Sequence, residues 1–100
     1  PKPIPEQNEK GIYFMTEKYC REISDYNGYS SIPQYISTIH LHFKAFSKIE
    51  NLNSFVNLRV IYLENNCISK IENLDHLPNL QVLQISNNFI DSFEEIAKNP

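Results

Sequence analysis

The chain has 100 residues, and its 12 acidic and 9 basic side chains leave a formal net charge of −3 at pH 7. That balance carries no basic footprint for a nucleic-acid backbone, no apolar run approaches the ~20 residues that cross a bilayer, and nothing reads as a signal peptide. The cysteines, Cys20 and Cys67, have no framework spacing, so reduced thiols in a cytoplasmic protein are the expectation.

Residues 1–14 hold Pro1, Pro3 and Pro5 among several charges, which predicts an extended or mobile lead-in. Residues 15–35 read as a helical cap and connector. Thr16 suits an N-cap, Glu17 places an anion in the first turn, and Gly28 supplies a stop. Tyr19, Ile23 and Tyr26 are spaced to share one helix face, with Cys20 beside them. Such a helix would cover the open end of whatever stacks behind it. The run from Tyr29 to Tyr35 then leads into a strand, and Pro33 bars helix continuation.

From Ile36 onward an apolar pattern returns every 22 residues. Ile36, Ile39, Leu41, Phe46, Ile49, Leu52 and Phe55 recur as Leu58, Ile61, Leu63, Ile68, Ile71, Leu74 and Leu77. They recur again as Leu80, Leu83, Ile85, Ile90, Phe93 and Ile96. Asn66 and Asn88 keep the register, and Lys44 stands in the matching place of the first unit. The spacing L-x-x-L-x-L-x-x-N is the signature of leucine-rich repeats, in units 36–57, 58–79 and 80–100. It predicts an α/β solenoid, with a parallel sheet on the concave face, a 3₁₀ or irregular convex side and an N-terminal capping helix.

The period-2 pairs Ile39/Leu41, Ile61/Leu63 and Leu83/Ile85 point inward from short strands. Apolar residues every third position after each turn match 3₁₀ geometry, and 22 residues leave no room for an α-helix there. A buried Asn offers donors and acceptors to loop backbone groups that stacking removes from water. Lys44 has no acceptor, so the first unit is expected to be the least regular. Asn99-Pro100 falls where His76-Leu77-Pro78 places a turn, so the chain reads as the beginning of a longer array.

Residues between the inward-pointing ones form rows on the concave face: Thr38, Val60, Val82; His40, Tyr62, Gln84; His42, Glu64, Ser86. Solenoids use such faces to bind proteins; the plainer alternative is a solvated sheet surface. His40 and His42 beside Glu64 resemble a zinc set on paper, but spacing supplies no further strong ligand, and exposed strand histidines are commoner. Neither cysteine has a His/Asp context for nucleophilic catalysis, and Gly11 and Gly28 make no phosphate loop. Lys-Ile-Glu-Asn-Leu recurs at 48–52 and 70–74, with Lys and Glu directed outward as a solvated face. No enzyme and no cofactor are indicated.

Units of 22 residues with repeated K-I-E-N-L resemble the SDS22-like class of leucine-rich repeats. Met15-Thr16, a short helix, then Leu41-His42-Phe43-Lys44-Ala45-Phe46 and Lys48-Ile49-Glu50-Asn51-Leu52 are similar to the dynein axonemal assembly factor 1 family. That family carries Gly where Ala45 stands, and Asp91-Ser92-Phe93-Glu94-Glu95-Ile96 departs from the repeated string. The resemblance implies a non-enzymatic scaffold that preassembles dynein arms in the cytoplasm and acts at the cilium or axoneme. It implies dynein chains, axonemal proteins and co-chaperones as partners, with no nucleic acid and no membrane. Alternatives are a structural axonemal component and a phosphatase-regulatory module.

Overall fold

The structure, a computed structural model, describes residues 1–93. Ile96 and the rest of the third unit's tail lie outside the described residues.

Two short strands, β1 (Glu6–Gln7) and β2 (Tyr13–Phe14), pair antiparallel with Glu6 opposite Phe14. The predicted extended or mobile lead-in therefore contains a hairpin. Its turn explains why: Asn8 Oδ1 accepts from the amides of Lys10 and Ile12 at 2.8 and 3.0 Å, and Gly11 takes φ 78°. An Asn that mimics a backbone acceptor and a Gly that tolerates positive φ outweigh the prolines upstream.

Helix α1 (Glu17–Tyr26) follows. Thr16 caps it as predicted, its hydroxyl accepting from Tyr19 N at 2.9 Å. Its inner face buries Tyr19, Cys20 and Ile23, together with Ser24, whose hydroxyl donates to the Cys20 carbonyl at 2.8 Å. Tyr26 departs from the prediction: it is exposed and borders a hollow with Pro1, Lys2 and Pro3. Periodicity fixes direction around a helix but not how far along the axis the covered surface extends. The Tyr19 ring meets Phe46 edge-on at 6.0 Å, locking α1 onto the first repeat. Burial, with Glu17 as a second cause, pushes the Cys20 thiol up to about 12, which leaves it unreactive.

Beyond a 3₁₀ turn at Pro33–Tyr35, three strands form one parallel sheet: β3 (Thr38–His40), β4 (Val60–Tyr62) and, after the convex strand β5 (Lys70–Ile71), β6 (Val82–Gln84). Their order follows the sequence, and Thr38 pairs with Val60 and Val60 with Val82, which is the 22-residue step predicted from the apolar pattern. On the opposite side β5 pairs in parallel with β7 (Ser92–Phe93). Between them the chain turns with i to i+3 bonds, Phe55 N to Leu52 O and Leu77 N to Leu74 O, each 3.1 Å.

The first two units bury every predicted inward residue but Leu74, which packs against the core partly exposed. Leu80, Leu83, Ile85 and Ile90 of the third unit are also only partly buried. Each unit is covered by the next, and no described residue stacks on the third.

Asn66 acts as predicted. Its Oδ1 accepts from Lys44 N and Phe46 N at 3.1 and 3.0 Å, and its Nδ2 donates to the carbonyls of Leu41 and Leu63 at 3.0 and 2.9 Å. Asn88 repeats the bonds one unit on, to Ile68 N and to the carbonyls of Leu63 and Ile85. The first unit is the least regular at this turn. Phe43 and Ala45 both have positive φ (54° and 60°), whereas the corresponding turns place only Asn65 and Asn87 there.

Candidate functional site

The alternation that buries Ile39, Ile61 and Leu83 turns their neighbours outward, so the predicted rows lie along one sheet face. Thr38, His40, Val60 and Tyr62 are half-buried in β3 and β4, and His42 and Glu64 continue the face just after those strands. Val82, Gln84 and Ser86 are exposed on the third unit.

The middle row is an aromatic stack. The ring of His40 lies against Tyr62 with centroids 4.8 Å apart and planes 8° from parallel. Tyr29 stacks on the other side at 5.8 Å, and its hydroxyl lies 3.1 Å from His40 Nε2. His42 approaches His40 edge-on at 5.7 Å and Phe43 at 6.0 Å. Burial, with the neighbouring His42 second, lowers the pKa of His40, while Glu64 opposes the change. At neutral pH the His40 ring is therefore uncharged, which suits a stacked and partly desolvated position.

His42 Nδ1 and Glu64 Oε1 are shielded from solvent and have no hydrogen-bond partner. Just beyond adjacent strands, one ring nitrogen and one carboxylate oxygen thus keep bonding capacity unused beneath the surface. Among the described residues no group of His, Cys, Asp or Glu is arranged to hold a metal ion, so His40, His42 and Glu64 do not form a ligand set. Cys67 is exposed in a repeat turn.

Sequence periodicity missed Tyr29, Phe43 and Lys2 as members of this region. Tyr29 and Lys2 precede the repeats and reach the face only through the fold of the cap. Phe43 carried a legible signal: it occupies the register of Asn65 and Asn87, where an aromatic residue is out of place.

On the convex side the Lys-Ile-Glu-Asn-Leu strings contain a second ladder. Asn51 and Asn73 both adopt φ 61°, and each Nδ2 donates backwards at 2.7 Å, to the carbonyls of Met15 and Ile49 respectively. His76 Nε2 lies 2.9 Å from the Leu52 carbonyl, while Ser54, in the same register, donates to Glu17 of α1 at 2.9 Å. These side chains are committed to stacking, which leaves the concave face as the candidate site.

Residues 56–98 match the family model described as Leucine Rich repeats (2 copies). No curated protein and no solved structure matches the chain.

Proposed function

We propose that this leucine-rich-repeat chain is a non-enzymatic scaffold that holds a protein partner on its concave face and serves in the assembly of ciliary dynein. The observation that carries the binding reading is the Tyr29–His40–Tyr62 stack. Rigid aromatic rings with polar edges, fixed on a sheet, give large contact area for little conformational entropy. The convex ladders already use their polar groups internally, whereas His42 Nδ1 and Glu64 Oε1 do not.

The ciliary assignment rests on the string Leu41-His42-Phe43-Lys44-Ala45-Phe46 and its resemblance to the dynein axonemal assembly factor 1 family. Ala45 takes φ 60°, a conformation that suits the Gly which that family carries at this place. The partners on this reading are dynein heavy chains and co-chaperones, in the cytoplasm and at the cilium.

The test is affinity capture of the tagged protein from ciliated cells, with cytoplasm separated from salt-washed axonemes and Tyr62→Ala in parallel. Dynein heavy chains and chaperones recovered from cytoplasm, and lost with Tyr62→Ala, are the expected result. Stoichiometric retention on washed axonemes would make the protein a structural component instead.

A further inference from the structure

The concave face has a charged end. Where the cap meets the first repeat, Lys2, Asn27, Tyr29, His40, His42 and Lys44 line an open hollow of about 310 Å³. Among the described residues, no carboxylate lies within ion-pair distance of Lys2 or Lys44. Burial, with the neighbouring Lys2 ammonium second, lowers the pKa of Lys44. Cations crowded together in a chain of net charge −3 are stabilised by an incoming anion.

Lys44 occupies the register of Asn66 and Asn88 for a physical reason. An Asn there reaches back to the carbonyls of the preceding repeat, and behind the first repeat lies only the cap. The amides of Lys44 and Phe46 are already served by Asn66 Oδ1. The Lys44 side chain is therefore released from the ladder and lines the hollow.

An independent observation lies next to it. Phe43 is 71% exposed and sits at φ 54°, in the register where Asn65 and Asn87 hold the same left-handed conformation. Asparagine tolerates that conformation and water; a bulky aromatic ring tolerates neither well. A strained and exposed ring is a feature that folding does not require.

We propose that the hollow docks an acidic peptide segment of a protein partner, with carboxylates placed on Lys2 and Lys44 and a flanking apolar side chain placed on Phe43. This rests on the concave face being the binding face. Phosphate is the poorer fit: no arginine lines the hollow, and the amides of Lys44 and Phe46 are already bonded to Asn66.

The experiment is fluorescence anisotropy of the whole chain with three labelled synthetic peptides, in which a phenylalanine is flanked by glutamates, by glutamines or by phosphoserines. The glutamate peptide is expected to bind, with affinity falling as salt is raised and about tenfold weaker for Lys44→Asn and for Phe43→Asn. Both variants install the residue that the other repeats use, so a melting curve like that of the unmodified chain separates lost binding from lost folding. No binding of the glutamate peptide, equal binding of the glutamine peptide, or an unchanged affinity in Lys44→Asn overturns the proposal. A phosphoserine peptide preferred about a hundredfold overturns it too, since a preference that strong exceeds added charge alone. If dynein capture remains sensitive to Tyr62→Ala while Lys44→Asn has no effect on the peptides, the hollow is wrong and the concave reading stands. Insensitivity of both overturns the two together.

Discussion

The side-chain amide of Asn51 donates to the carbonyl of Met15 at 2.7 Å, across the junction between the cap and the first repeat. One unit later Asn73 makes the same bond to Ile49, at the same length and with the same φ of 61°. Met15 thus supplies to the first repeat what a preceding repeat supplies to the second. The cap ends the array by offering a backbone carbonyl in the repeat's own register as well as by covering apolar surface, and Ser54 reaching Glu17 of α1 extends the same substitution.

Asn51→Ala removes this bond and puts a β-carbon residue without a local partner in the left-handed region. A loss of about 1–3 kcal/mol is expected in urea unfolding. Asn51→Gly loses the bond but relieves the backbone, so it should fall between Ala and the native residue. Native stability in Asn51→Gly would show that the bond to Met15 contributes nothing, and equal stability of the two variants would show that the left-handed backbone costs alanine nothing.

Asn66→Ala leaves two amides and two carbonyls without their partner in a buried turn and should cost about 1–3 kcal/mol. Asn66→Asp keeps the acceptor but directs an oxygen at the carbonyls of Leu41 and Leu63. It should therefore be no more stable than the alanine variant at neutral pH, and a midpoint near native would contradict the ladder.

Leu63 is fully buried, and Leu63→Ala should cost about 2–5 kcal/mol through lost burial and the cavity left behind. Leu83 occupies the same register but is only partly buried, so Leu83→Ala should cost less than half as much. Thermal melts of both variants check the order, which equal periodicity alone would not have distinguished.

Ala45→Gly should stabilise the chain by about 1 kcal/mol, because φ 60° strains alanine and not glycine. A higher urea midpoint at unchanged slope is the readout. Destabilisation would mean that the entropy of a freer unfolded chain outweighs the relief of strain.

The stability of the fold should fall with acidity through His40. Burial, then the charge of His42, lowers its folded pKa below the ordinary 6.5, so the unfolded chain binds the proton first. The contribution is present above about pH 6.5 and is lost as pH falls through the depressed folded value. Melting temperature measured across that window should drop less steeply in His40→Phe, which keeps a ring on Tyr62 but cannot take a proton. Identical slopes would remove His40 as the cause.

The array was legible from the residues alone, because a 22-residue period forces strand to stack on strand in one register, and the pairing of Thr38, Val60 and Val82 follows it. The buried role of Asn66 was legible for the same reason: its amide can satisfy groups that every stacked turn removes from water. The convex ladder of Asn51 and Asn73 was hidden, since Lys-Ile-Glu-Asn-Leu reads as a charged surface until the backward distance to Met15 and Ile49 is known. Tyr26 was misplaced because helical spacing says nothing of where along the axis covered surface ends. The hairpin at Glu6–Phe14 was masked by the prolines before it.

The sequence by itself determined the repeat, its register and the rows of the concave face, because these depend on periodicities that every unit shares. Only the tertiary structure decided that Tyr29 completes the stack on His40, that Lys2 meets Lys44, and that Met15 closes the ladder. Those contacts join the unrepeated cap to the repeats. No period links the two segments, so where they meet is set by how the cap packs.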